Sequence, residues 1–102
     1  MKIDIQIIKK NYNQEARFVN IGYIELDKFD PQRCWELCNW KHWKKEKPEN
    51  LHANIYSCSH GVCFTNPETN EIWMSKSIGW FVGNQDEIND YMQNNINELI
   101  WL

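Results

Sequence analysis

The alternation of apolar and polar residues predicts that the chain begins with two strands. Isoleucines recur at every second position within residues 2 to about 9, which places them on one face of a strand. A second apolar stretch covers residues 17–26, and a segment rich in turn formers, residues 11–14, separates the two. We therefore expect an antiparallel hairpin with a loop of several residues.

The next predicted element is a helix. Asp30 can cap its N-terminus, and Pro31 suits the first helical position. Residues 32–45 contain no helix breaker, and Pro48 is expected to end the helix. Lysines near its C-terminal end would complement the helix dipole, which explains much of the local basic charge without a ligand.

Short strands are predicted to follow. Residues 53–57 are one candidate. The apolar stretches Val62–Thr65 and Ile72–Ser75 flank a strong turn sequence at residues 66–70, so these two strands should form a hairpin. Residues 79–82 are expected to add a short edge strand.

The last predicted element is a helix that begins after Asn84, with Glu87 in the capping-box position three residues later. Apolar residues then recur at three- and four-residue steps and define one core-facing stripe. This stripe comprises Ile88, Tyr91, Met92, Ile96, Leu99 and Ile100. The predicted order is ββαβββα, an α+β fold with a mostly antiparallel β-sheet and two helices in one domain that spans residues 1–102.

Composition favours a cytoplasmic protein without a membrane segment. The longest apolar runs are a few residues long, whereas a bilayer span needs ~20. The N-terminus alternates charged and aliphatic residues where a secretory signal has an unbroken apolar core. In the absence of a signal, the four cysteines are expected to be free thiols. No cofactor is expected.

Charge is distributed unevenly along the chain. The net charge of −3 combines +3 in residues 1–47 with −6 in residues 48–102. Nucleic-acid binding is disfavoured because it needs a coherent basic face, whereas an acidic surface would attract a basic protein partner. The acids expected to face that partner are Glu68, Glu71, Asp86, Glu87 and Asp90.

Six tryptophans are the most unusual feature of the composition. Trp40 and Trp43 project away from the predicted core face of the first helix, which Cys34, Leu37 and Cys38 define. A thick aromatic core and a protein interface explain this excess equally well, since tryptophan is enriched at interface hot spots. Stacking on single-stranded nucleic acid is a third alternative, because lysines interleave with Trp40 and Trp43. The tryptophans predicted to contact a protein partner are Trp40, Trp43, Trp73 and Trp80.

Two cysteine-based chemistries are alternatives to a pure binding protein. Cys34, Cys38, Cys58 and Cys63 could form a tetrahedral zinc site, although neither pair has the usual C-x₂-C spacing and cysteine is often simply buried. A thiol–imidazole pair could also join Cys58 or Cys63 to His52 or His60. No third orienting group, paired carboxylates or phosphate-binding glycine loop accompanies them, so we predict that the protein is not an enzyme.

The chain resembles the small cytosolic immunity proteins that bacteria carry against contact-dependent or secreted toxins. The resemblance lies in size, single-domain α+β build, acidic balance, aromatic richness and lack of catalytic groups. It implies a stoichiometric inhibitor that neutralises a cognate toxin, often a basic nuclease, and it makes the acidic side the natural contact face. Phage-encoded inhibitors of host defence complexes have a similar profile. A cysteine- or zinc-stabilised interaction module is the remaining alternative.

Overall fold

The computed structural model describes residues 1–10, 12–13, 15–43, 45–58, 60–98 and 100–101. It has the order ββαββββα followed by one further strand: this is the predicted ββαβββα with the expected short edge strand as an additional strand before the last helix, and it confirms the α+β fold class. The elements are β1 (Lys2–Lys10), β2 (Ala16–Glu25), α1 (Pro31–Cys38), β3 (Leu51–Ala53), β4 (Val62–Thr65), β5 (Ile72–Ser75), β6 (Trp80–Gly83), α2 (Gln85–Asn94), a 3-10 turn (Ile96–Glu98) and β7 (Ile100–Trp101).

One sheet contains all of the strands. Its order is β3-β2-β1-β4-β5-β6, and every neighbouring pair in this path is antiparallel. The short β7 pairs in parallel with the end of β1, at Lys9 and Lys10. β1 is thus the central strand.

A helix packs against each face of the sheet and forms a separate core there. α1 buries Cys34, Leu37 and Cys38, as its apolar pattern predicts, against an aliphatic layer. That layer contains Ile3, Ile5, Ile24, Leu51, Ala53, Val62 and Phe64. α2 buries Ile88 and Met92 on the other face, and the residues it covers are Ile8, Cys63, Ile72 and Met74. The two cores follow from strand alternation, since successive side chains point to opposite faces.

The first helix ends at Cys38, so the prediction that it continues to residue 45 was wrong. Asn39 is the cap: its side-chain Nδ2 donates to the carbonyl of Trp35 at 2.8 Å, and its Oδ1 accepts the backbone N–H of Cys58 at 2.8 Å. The side chain thus satisfies groups at the helix end and in a distant loop at once. Lys44, one of the lysines in this basic segment, lies outside the described residues.

The third strand lies at Leu51–Ala53, earlier than the predicted 53–57. It pairs with β2 at Gly22, where the two backbones approach closely. Gly22 has a φ of 138°, and a Cβ added there would lie 2.0 Å from the carbonyl oxygen of His52. Only glycine permits both this conformation and this contact.

The second helix ends at Asn94, so the apolar stripe predicted to continue to residue 100 was too long. The backbone and side-chain N–H groups of Asn95 both donate to the carbonyl of Tyr91, at 2.9 and 3.0 Å. The chain then forms the 3-10 turn, and residue 100 belongs to β7. Leu99, which the stripe also included, lies outside the described residues.

Candidate protein-binding site

The acids predicted to face a partner lie at one end of the sheet. Thr65, Ile72 and Gly83 are neighbours across β4, β5 and β6. The β4–β5 turn and the first turn of α2 therefore emerge side by side. They carry Glu68, Glu71, Asp86 and Glu87, all exposed, and Asp90 lies one turn further along α2.

The connection between β2 and α1 adds carboxylates that sequence analysis did not identify. β1 runs antiparallel to β2 and β4, so the end of β2 lies at this same end of the sheet. Phe29 in the connection also meets Trp73 of β5, with 6.3 Å between ring centroids. We define the acidic end as Glu25, Asp27, Asp30, Glu68, Glu71, Asp86 and Glu87. Three positive groups lie among these seven carboxylates: Lys2, Lys28 and the amino terminus, whose nitrogen is 3.8 Å from the Glu25 carboxylate.

Positive charge lies at the opposite end of the strands. Lys9, Arg17 and Lys76 are there, where β1 and β5 end and β2 begins, and Glu15 is the carboxylate beside them. The asymmetry in charge is therefore spatial and not only a difference between the halves of the chain. Such a distribution orients a charged partner before contact, over a distance of about 8 to 10 Å at physiological salt.

Two of these acids also stabilise the start of α2. Asn84 Oδ1 accepts the Glu87 N–H at 2.9 Å, and Glu87 Oε1 accepts the Asn84 N–H at 3.1 Å, which confirms the predicted capping box. Asp86 lies in the first turn, where negative charge is favourable to the helix dipole. The Glu87 side chain is thus part of the cap of α2. Glu68 and Asp90 are exposed and lie outside the capping box.

Half-buried aromatic rings lie on the α1 side of the sheet and extend from the acidic end, at Phe29 and Trp73, toward the other end of β6, where Trp80 pairs with Ser75. We call Phe29, Trp73 and Trp80 the aromatic shelf. Trp73 and Trp80 meet edge to face with 5.9 Å between ring centroids, and Trp80 also packs on Phe64 at 6.1 Å. The Trp73 indole N–H donates to Glu71 Oε1 at 2.9 Å, which joins the shelf to the acidic end. Large rings that keep part of their surface exposed beside charged groups are common at protein interfaces.

Trp40 and Trp43 lie elsewhere, so the predicted interface residues divide between two surfaces. The indole N–H of Trp40 donates to the carbonyl of Ile55 at 2.8 Å, and the ring packs against the α1 core. Trp43 is 52% exposed. Both rings line a pocket of about 410 Å³ beside α1, whose wall carries the oppositely charged side chains Arg33 and Glu36. Neither residue is helical, so the expectation that the helix projects them outward was wrong.

Three of the four cysteines converge beside α1. Cys34 and Cys38 are buried in the α1 core, and Cys58 packs against that core from its loop. Cys63 faces α2 on the opposite side of the sheet. The four-cysteine zinc set is therefore not assembled, and within the described ranges no group of three or more His, Cys, Asp or Glu residues has a metal-binding arrangement.

The environment of the buried thiols favours their protonated form. Burial raises the pKa of Cys63 to about 12, and burial together with the nearby charge of Asp30 raises that of Cys34 to about 12. A hydrogen bond to Cys58, reinforced by burial, places the pKa of Cys38 far above its usual range. A nucleophile or a metal ligand needs the thiolate, so these environments suit structural cysteines.

The histidines considered for a thiol–imidazole pair contact tyrosines. The ring of His52 stacks on Tyr23 with 4.7 Å between centroids, on the sheet face opposite α1. His60 Nε2 lies 3.2 Å from the hydroxyl of Tyr91. The backbone N–H of Cys58 is bound by Asn39. Each of the two rings is thus in contact with a tyrosine.

Comparisons with known proteins give no relative: no family model matches the chain, and neither the curated proteins nor the solved structures contain a match. Within the described part of the chain, no helix has the length and apolar character to cross a membrane. The candidate site therefore rests on geometry and charge alone.

Proposed function

We propose that this protein is a stoichiometric inhibitor, an immunity protein that binds and neutralises a basic, nuclease-type toxin in the cytoplasm. The observation that supports this proposal is the acidic end and its junction with the aromatic shelf through the Glu71–Trp73 hydrogen bond. The carboxylates would steer a basic partner, and the half-buried rings would supply contact area once it docks.

Charge and apolar surface have different roles in this proposal. Exposed carboxylates affect mainly the association rate and its dependence on salt. Burial of Trp73 and Trp80 would stabilise the complex and slow its dissociation, because most differences in affinity lie in the dissociation rate. The proposed inhibitor needs no catalytic group of its own.

Affinity purification from lysate of the native host, with the tagged protein in three versions, tests this proposal. The variant Glu68→Lys/Asp86→Lys reverses two charges at the acidic end. The control Glu15→Lys/Glu46→Lys has the same net charge but alters exposed acids elsewhere, Glu15 at the opposite end of the sheet and Glu46 at the pocket beside α1. Quantitative mass spectrometry should detect one basic partner that wild type and control retain and the acidic-end variant loses. The purified partner should then lose its nuclease activity when wild-type protein is added at a one-to-one ratio.

Two results would contradict the proposal. One is a partner that both variants retain equally, because the acidic end would then play no part in recognition. The other is a basic partner whose activity is unchanged by saturating protein. A partner that proves to be a host defence complex would instead favour the phage-type inhibitor.

The aromatic shelf has its own test with the same purified partner. Trp73→Ala should raise the dissociation rate measured by surface plasmon resonance, whereas Trp43→Ala, in the separate pocket beside α1, should leave it unchanged. Equal effects of the two substitutions would remove the shelf from the proposed interface.

A further inference from the structure

A second concave surface lies at the opposite end of the sheet, on the α2 side. It is a pocket of about 670 Å³ between the end of α2, the β5–β6 turn and the loop that precedes β4. Its lining residues are His60, Lys76, Ser77, Ile78, Tyr91 and Asn95. None of them belongs to the proposed protein-binding site.

Backbone hydrogen bonds hold the walls of this pocket in place. The N–H of Gly61 donates to the carbonyl of Ser75 at 2.9 Å, and the N–H of Ile8 donates to the carbonyl of Gly61 at 2.9 Å, so the loop with His60 is held between β1 and β5. The N–H of Lys76 donates to the carbonyl of Gly79 at 3.1 Å and closes the β5–β6 turn. These bonds fix two of the three walls of the pocket, the loop and the turn, before any ligand arrives.

Polar side chains from all three walls meet in the pocket. The Tyr91 hydroxyl lies 3.2 Å from His60 Nε2, which sets the two rings relative to each other. Lys76 Nζ lies 6.0 Å from the centre of the Tyr91 ring, and the Phe81 ring packs on Tyr91 with 4.6 Å between ring centroids. The hydroxyl of Ser77 is on the same turn as Lys76 and is exposed.

We propose that this pocket binds a phosphate-type oxyanion carried by a small organic molecule, a phosphomonoester. Lys76 offers an ammonium group with three donors and Ser77 a hydroxyl, while the Tyr91–His60 pair carries one donor beyond the one used in its mutual hydrogen bond. No carboxylate is among the lining residues that the structure describes. An ammonium–phosphate pair is a charge-assisted hydrogen bond, roughly twice as strong as a neutral one.

The neighbouring electrostatics favour an anion here. The C-terminal end of α2 carries partial negative charge, but both N–H donors of Asn95 satisfy the Tyr91 carbonyl at that end. Lys9 and Arg17 lie at the same end of the sheet, with Glu15 beside them, and the acidic end lies at the other. The rim is apolar on one side, since Ile78 is 89% exposed, and suits the organic part of the ligand. This inference is independent of the proposed inhibitor function.

Nuclear magnetic resonance titration of the ¹⁵N-labelled protein tests the site. The probes are inorganic phosphate and phenyl phosphate, with potassium chloride at matched ionic strength as the reference. A ten-residue single-stranded oligothymidylate tests whether the phosphate of a nucleic acid is preferred. The variants are Lys76→Gln and Tyr91→Phe, and the matched control is Lys28→Gln, an exposed lysine at the acidic end. An otherwise superimposable spectrum shows that each variant is folded.

We expect saturable shifts confined to the amides of the lining residues and of Gly79, with phenyl phosphate binding more tightly than inorganic phosphate. Lys76→Gln should weaken binding at least about tenfold and Tyr91→Phe by a smaller factor, while Lys28→Gln has no effect. Chemical-shift changes that do not saturate would overturn the site. An equal loss of binding affinity in Lys76→Gln and Lys28→Gln would do the same. Tighter binding of the oligothymidylate than of phenyl phosphate at these amides would overturn the small-molecule ligand.

Discussion

Replacing Asn39 by alanine should detach the loop with Cys58 from the end of α1. Asn39 is 6% exposed, and its side chain makes two hydrogen bonds of 2.8 Å, one within the helix and one to the backbone of Cys58, nineteen residues away. It is one of the polar connections between the end of α1 and the loop that closes the α1 core, beside the hydrogen bond between Cys38 and Cys58 and that from Trp40 to Ile55. The substitution removes both bonds at once.

The expected loss of stability depends on which hydrogen bonds the two partners of the Asn39 side chain keep after the substitution. The carbonyl of Trp35 still accepts the Asn39 backbone N–H at 3.1 Å, so its loss is one hydrogen bond, about 1 kcal/mol. The N–H of Cys58 is partly buried and loses its acceptor, which costs about 1 to 2 kcal/mol. We therefore expect Asn39→Ala to lower the free energy of unfolding by about 2 to 3 kcal/mol, a large share of the ~5 to 15 kcal/mol typical of a domain.

Urea unfolding followed by tryptophan fluorescence measures this loss. Asn50→Ala is the matched control, because it removes an exposed hydrogen bond of 3.1 Å from its Nδ2 to the Glu25 carbonyl and should cost less than about 1 kcal/mol. A second readout is the rate at which a thiol reagent labels Cys58 in the folded state. That rate should increase in Asn39→Ala and remain unchanged in Asn50→Ala.

Equal losses of stability in the two asparagine variants would refute this argument, because the Asn39 side chain would then be no more important than an exposed one. An unchanged labelling rate of Cys58 would separately refute its role in holding the loop. In that case the packing of Trp40 against Ile55 would be sufficient to keep the loop in place.

Three further predictions concern the cores and the caps. Burial raises the pKa of Cys63 from 9.0 to about 12, so the folded state retains a proton that the unfolded chain loses above pH 9. The free energy of unfolding should therefore fall between pH 9 and 12. Urea unfolding at pH 9 and 10 should show a decrease that is smaller in Cys63→Ala by about 1 kcal/mol, because the unfolded-state thiol is only half titrated at pH 9; equal decreases would contradict the assignment. Gly22→Ala should lower the free energy of unfolding by at least about 3 kcal/mol, because φ is 138° and the new Cβ would meet the carbonyl of His52. Gly79→Ala is the control: its φ is 76° but the space around it is open, so the free energy of unfolding should fall by only about 1 to 2 kcal/mol. Similar melting temperatures for the two variants would contradict the importance of the contact with His52. Asn84→Ala removes half of the capping box and should cost about 1 kcal/mol in thermal unfolding, and an unchanged melting temperature would show that the box contributes nothing.

Elements with a local cause could be predicted from the sequence. The start of α1 at Pro31, the capping box of α2 and the β4–β5 turn each depend on residues a few positions apart, and all three are where the pattern placed them. The ends of the helices were predicted poorly. α1 stops because Asn39 binds a loop far along the chain, and that contact has no signal in the residues around the helix.

The candidate site was also predicted incompletely, because it too depends on contacts between distant parts of the chain. The sequence identified an acidic second half, but the acidic end also contains Glu25, Asp27 and Asp30 from the first half. The sequence predicted partner contacts for the acids and for four tryptophans without placing them relative to one another, and the structure puts Trp40 and Trp43 in a separate pocket.

The sequence by itself determined the types of element, their order and the faces that they bury, because periodicity and capping act over a few residues. The tertiary structure decided which charges and thiols meet. Strand register brings the turn with Glu71 beside the start of α2 and sends Lys76 to the opposite end of the sheet. The alternation of side chains along β4 separates Cys63 from the Cys58 side of the sheet. Pairing between distant strands fixes these distances, and no local pattern specifies which strands will pair.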